Sequence, residues 1–96
     1  MRMQLMKLRR GKSTKAERIF AERLKKMHIP FKTKFLINNR EVDFLIGKYA
    51  IDIDGHEQDE AKNVMLVGAG YTPLHVGNRS ASTISINYLK EYVRHN

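Results

Sequence analysis

The chain contains no cysteine, no tryptophan and only two prolines. Without cysteine there is neither a disulfide nor a thiolate metal site, so oxygen and nitrogen must hold any metal. No apolar run reaches the length of a bilayer-spanning helix. The opening residues, Met1 to Arg10, mix Leu and Met with four basic side chains. They lack the uninterrupted apolar stretch and small-residue cleavage site of a secretory leader, which makes the cytoplasm the default compartment. The basic segment also lacks a wide apolar face, so a membrane surface is a poor partner. Zinc fits poorly, because the four histidines show neither H-x₃-H nor HExxH spacing. No phosphate loop, nucleophile elbow or dinucleotide fingerprint is present.

Ninety-six residues, 42% of them apolar, suit one small domain with one core. Net charge is +8, and its distribution says more than its sum. Residues 1–34 hold twelve Lys/Arg against two Glu. Residues 35–96 hold six Lys/Arg against eight acids, seven of which lie between Glu41 and Glu60. A basic segment beside a compact acidic centre suits a protein that grips a polyanion with one part and positions a cation with another. The plainer alternative is a solvated basic helix face.

Residues 1–12 lack a clean period and read as a basic N-terminal arm, with residues 13–96 forming a single domain. Thr14 followed by Glu17 fits a capping box, and Ala16, Ile19, Phe20, Leu24 and Met27 keep helical spacing. Pro30 ends that helix. Strands are expected over Phe31–Ile37, Arg40–Ile46, Tyr49–Asp54 and Tyr71–Val76. Turns fall at Asn38-Asn39 and Gly47-Lys48. Pro73 argues that the fourth strand lies at an edge. A second helix is expected from Glu57 or Asp59 to Ala69, marked at its end by Gly68 and Gly70. A last helix is expected over Thr83–Arg94, capped from Ser80, Ser82 or Thr83. The order α-β-β-β-α-β-α describes an α/β fold, a mixed four-stranded sheet with flanking helices.

The most informative segment is Val42 to Gly55. Alternation puts Val42, Phe44 and Ile46 on one face of a hairpin, with Ile51 and Ile53 sharing a face on the next strand. Asp43, Asp52 and Asp54 then take the opposite face. Acids crowded this way repel one another unless a cation neutralises them, and hard carboxylate oxygens are the ligands Mg²⁺ prefers. A metal-activated water attacking a phosphate is the chemistry such a site supports. The alternative is that Asp43 and Asp52 pair with Arg40, Lys48 or the basic helix. Asp54 is a second ligand, an orienting group or a cap for the loop at Gly55. Glu17 is a helix cap or a further acid of the site. His56 and His75 are candidates for proton transfer, against packed or bystander roles. His28 and His95 read as helix-end residues. Lys7, Arg9, Arg10, Lys12, Lys15, Arg18, Lys25 and Lys26 are the candidates for nucleic-acid phosphates.

Taken together, Ala16-Glu17, Val42-Asp43-Phe44, Ile51-Asp52-Ile53-Asp54-Gly55 and Gly70-Tyr71 through Asn78 resemble the very short patch repair endonuclease-like proteins. These belong to the PD-(D/E)xK nuclease superfamily. The resemblance spans about residues 14–95. It implies a restriction-endonuclease-like core that cleaves DNA, with Mg²⁺, or Mn²⁺ in its place, held by Asp43. Asp52 also faces the metal in that pattern, and Glu17 matches a helix-one glutamate that approaches the site; the expectation is that Asp43 and Asp52 hold the metal, with the Ile53 carbonyl as third ligand. Three positions depart from the pattern. Asp54 stands where the superfamily has lysine. Gln58 stands where many relatives have histidine, with His56 two residues earlier, and His75 stands where relatives often have arginine. The expectation is therefore a magnesium-dependent endonuclease that binds DNA and nicks one strand as a monomer. A homodimer or a recruiting protein would be needed for more. The alternative is a nucleic-acid-binding protein that keeps the fold without catalysis.

Overall fold

The computed structural model describes residues 14–53 and 59–90. Helix α1, Lys15–Lys26, starts at the capping box read from Thr14 and Glu17. Glu17 N–H donates to Thr14 Oγ1 at 3.1 Å, and Thr14 N–H donates back to Glu17 Oε1 at 3.4 Å. Ala16, Phe20 and Leu24 repeat every fourth residue and are all buried. The helix stops where His28 turns left-handed at φ 58. His28 N–H then reaches the Lys25 carbonyl and Ile29 N–H reaches that of Leu24, satisfying the last turn. His28 is thus a helix-end residue, as its position suggested.

Three strands follow as a meander: β1 (Lys32–Ile37), β2 (Arg40–Ile46) and β3 (Tyr49–Ile53). Asn38 and Asn39 both take positive φ, 50 and 68, the geometry that lets a two-residue turn follow the twist of its strands. Gly47 at φ 58 serves the second hairpin. Helix α2, Glu60–Gly68, is capped by Asp59, whose side chain accepts from Lys62 N–H at 3.1 Å. Gly70 at φ 95 ends it, with Tyr71 N–H bonded to the Leu66 carbonyl at 2.9 Å. This crossover lets β4, Thr72–Val76, lie parallel to β3. The sheet order is β1-β2-β3-β4, so Pro73 does sit in an edge strand.

Two apolar clusters hold the layers together. Phe20 and Leu24 of α1 meet Phe44, Ile46, Ile51 and Ile53, with the Phe20 and Phe44 rings 5.2 Å apart. Ile37, Val42 and Ala50 join Leu66 of α2 in the other. Val42 is therefore not a face-mate of Phe44 in packing, contrary to simple alternation. The β1–β2 ladder skips Lys34, which has φ 50, and this irregularity lies between the Phe44 and Val42 rungs.

The last helix also differs from expectation. Asn78–Ser82 forms a 3₁₀ turn, and the described helical residues begin only at 87. The Ser80 carbonyl accepts both Thr83 N–H and Ile84 N–H, and Ala81 is fully buried, so this stretch is a packed turn rather than a cap. Arg23 anchors it by donating to the Ala81 carbonyl at 2.8 Å and the Ile84 carbonyl at 2.6 Å. An arginine on the apolar side of α1 is thereby satisfied.

Candidate active site

The regular β2–β3 ladder ends at Phe44↔Ile51. One step further, side chains replace backbone carbonyls as acceptors. Asp43 N–H donates to Asp52 Oδ1 at 3.2 Å, and Ile53 N–H donates to Asp43 Oδ2 at 2.7 Å. Each aspartate thus bonds the opposite strand, and the two carboxylates are brought together as the sequence predicted. Glu17 of α1 joins them, 7% exposed, and its charge acts on Asp43.

Two lysines that sequence reasoning missed supply the counter-charge. Lys34 lies within β1 at left-handed φ, a conformation that costs a residue with a side chain on the order of 1–3 kcal/mol. Its Nζ lies 3.0 Å from Glu17 Oε1 and 3.8 Å from Asp43 Oδ1. Lys62 of α2 lies 2.8 Å from Asp52 Oδ2 and donates to the Glu41 carbonyl at 2.5 Å. Arg40, an expected partner of the aspartates, pairs instead with Asp59 at the start of α2. A backbone N–H bond from Lys62, and then the Arg40 charge, hold the Asp59 carboxyl below its usual range. The signal for the lysines was charge count alone: a buried acidic centre needs nearby cations.

Asp43 is the strained member. Burial pushes its carboxyl up to about 6, opposed by the Ile53 N–H bond and reinforced by the charges of Glu17 and Asp52. Lys34 lowers it, but only as the last of these influences. Burial also disfavours the Lys34 ammonium, yet the Glu17 hydrogen bond and the acids around it leave its pKa above the ordinary value. Among the described residues, no three acid or histidine side chains converge closely enough to form a metal cluster. Asp52 accounts for this in part, since Lys62 and Asp43 N–H engage one oxygen each. A divalent ion does fit the donor chemistry beside Asp43 and Glu17, where an ammonium already occupies a position between carboxylates.

His75 is opposite Asp52 in the parallel register, but its Nε2 meets Asn63 Oδ1 at 2.8 Å. Its Nδ1 is buried without a partner among the described residues. Lys15, Arg18, Lys25 and Lys26 are exposed on α1. Lys15 and Arg18 share the turn of Glu17, whereas Lys26 lies about 13 Å beyond Glu17 along the helix axis. Lys15 also lines a groove of about 420 Å³ with Thr14, Asn78 and Arg79. Asp54 and His56, with Arg9, Arg10, Lys12 and His95, lie outside the described residues.

No family model matches the chain, and no curated protein matches it. A solved structure does: the catalytic domain of the homing endonuclease I-Bth0305I, with a TM-score of 0.61 at 24% identity. The likeness covers 86% of this chain and 90% of that domain. The chain therefore has a nuclease-like fold, with the four-stranded mixed sheet and flanking helices expected from the sequence.

Proposed function

We propose that the protein is a metal-dependent endonuclease that hydrolyses DNA phosphodiester bonds, of the very short patch repair-like kind. The observation that carries this reading is Asp43, hydrogen-bonded across the hairpin beside Asp52 and sharing Lys34 with Glu17, with its carboxyl pushed up to about 6 by burial and by those two charges. Buried acids held together at a stability cost are a mark of functional sites. The likeness to a homing endonuclease catalytic domain supports the substrate class.

Asp43 and Glu17 would hold Mg²⁺, or Mn²⁺ in its place, with the Ile53 carbonyl as a further oxygen. Asp52 would add its charge from its position beside Lys62. When bound, the ion supplies polarisation of the scissile phosphate and a lowered pKa for an attacking water. His56 would take the proton from that water, and Asp54 would orient it. His75 would serve as a proton relay or phosphate contact, through the buried Nδ1 that has no described partner. The water oxygen bonds to phosphorus as the bond to the leaving oxygen breaks. Lys15 and Arg18, on the turn of Glu17, would steady flanking phosphates, with Lys25, Lys26 and the arm residues Arg9, Arg10 and Lys12 extending that contact. Residues 1–12 act as the arm and residues 13–96 as the single domain. A single site cuts one strand per engagement, so a lone chain nicks in the cytoplasm. A double-strand break needs a second copy or a recruiting protein.

A plasmid-nicking assay with Mg²⁺, Mn²⁺ and EDTA tests this, with Asp43→Ala as control. Metal-dependent nicking that Asp43→Ala abolishes is expected. No nicking of any duplex, flap, mismatch or single strand would sink it. The second reading, a DNA-binding protein without catalysis, draws on Lys62, which engages Asp52 at 2.8 Å. DNA binding without metal-dependent cleavage would favour that reading.

A further inference from the structure

The three acids and two lysines do not balance. Glu17, Asp43 and Asp52 carry three negative charges when ionised, and Lys34 and Lys62 return two positive ones. The two lysines also differ in attachment. Lys62 meets one carboxylate and one carbonyl, and its side chain is 14% exposed. Lys34 meets carboxylates alone, one of them at 3.8 Å, and is 30% exposed. Its ammonium is a compact point charge on a flexible stem that solvent can reach. Exchanging that single charge for a double one would bring the cluster to neutrality. The same exchange would free only one lysine, and only Lys34 stands between two acids from different elements.

We propose that Lys34 is the internal counter-cation of Glu17 and Asp43, and that a divalent ion enters by displacing its ammonium toward solvent. Lys34 thereby keeps the acids compensated in the metal-free protein and sets how much metal is needed for occupancy. The inference rests on the metal-dependent reading above, but its test needs no DNA and no turnover.

The first measurement uses the unaltered full chain. Lysine acylation is followed by mass spectrometry with and without Mn²⁺. Lys34 should label faster when Mn²⁺ is present, while Lys62 stays slow. Slower or unchanged labelling of Lys34 on Mn²⁺ addition would overturn the displacement. The second measurement follows free Mn²⁺ by electron paramagnetic resonance during titration of Lys34→Met and Lys62→Met. Lys34→Met should bind Mn²⁺ about tenfold more tightly, roughly the effect of removing one like charge beside the ion at a partly exposed site. Equal affinity in Lys34→Met, or equal tightening in Lys62→Met, would show general charge removal and defeat the proposal. If Lys34→Met does not fold, Lys34→Gln keeps a donor without the charge and is held to the same outcome. Exchange without nicking would leave this inference standing and remove the nuclease reading. Nicking with an unmoved Lys34 would do the reverse.

Discussion

Asp43 and Asp52 are neighbours on one hairpin, yet they live in opposite electrostatic conditions. Asp52 has an acceptor role for each oxygen, one toward Asp43 N–H and one toward Lys62. Asp43 has one short bond from Ile53 N–H, and its other oxygen lies 3.8 Å from a lysine already engaged by Glu17. Burial and two neighbouring acids push it up to about 6. The comparison separates a carboxylate engaged at both oxygens from one whose charge is poorly compensated. Selection for stability alone would have removed Asp43.

The largest expected effect tests which of the two does the work. Asp43→Ala should lower metal-dependent nicking by at least roughly 10²–10³-fold, the scale of removing one group that stabilises transition-state charge. Full activity in a plasmid assay would reverse the assignment. Next comes stability. Lys62→Met leaves a buried Asp52 uncompensated and should cost about 3 kcal/mol in urea unfolding at neutral pH. Lys34→Met should cost less than that, since the Lys34 side chain is itself more exposed, 30% against 14% for Lys62, and one of its partners lies 3.8 Å away. Equal losses would erase the distinction. Thr14→Ala should cost about 1 kcal/mol by removing the α1 cap. Nicking by its folded fraction should persist, and loss beyond the unfolded fraction would mean that the cap positions Glu17.

The smallest effect has an unusual sign. Asp43 ionises near the ordinary 3.8 when unfolded, and burial pushes it up to about 6 in the folded protein. Between those pH values the folded state holds more protons, so this group adds stability as pH falls through the window. Asp43→Asn should therefore stabilise the protein at neutral pH by roughly 0.5–1 kcal/mol, after discounting for partial exposure. The difference between variant and wild type should shrink toward pH 4. Urea midpoints from pH 4 to 7 measure it, and a variant less stable than wild type at pH 7 would contradict the strain at Asp43.

Local rules explain why much of this was legible. Alternation from Phe44 to Ile53, the Asn38-Asn39 turn, the Thr14–Glu17 box and Gly70 each depend on residues a few positions apart. Asp43 and Asp52 follow from hairpin geometry in the same way. Lys34 and Lys62 do not. Lysine at a left-handed position inside a strand has no sequence signature, and Lys62 reads as an ordinary helix residue until α2 docks. The packed turn at Asn78–Ser82 depends on Arg23, more than fifty residues earlier, which is why a helix start near Thr83 was the natural misreading.

Both borders of the sheet are poor templates for another chain. On β4, Pro73 has no N–H to offer, and β1 is bent at Lys34 and carries Lys32 and Lys34. An incoming strand would meet an interrupted row of donors and the exposed charge of Lys32. Fibril growth by strand addition is thereby discouraged at each end, and concentrated solutions should stay clear without a second copy shielding the borders.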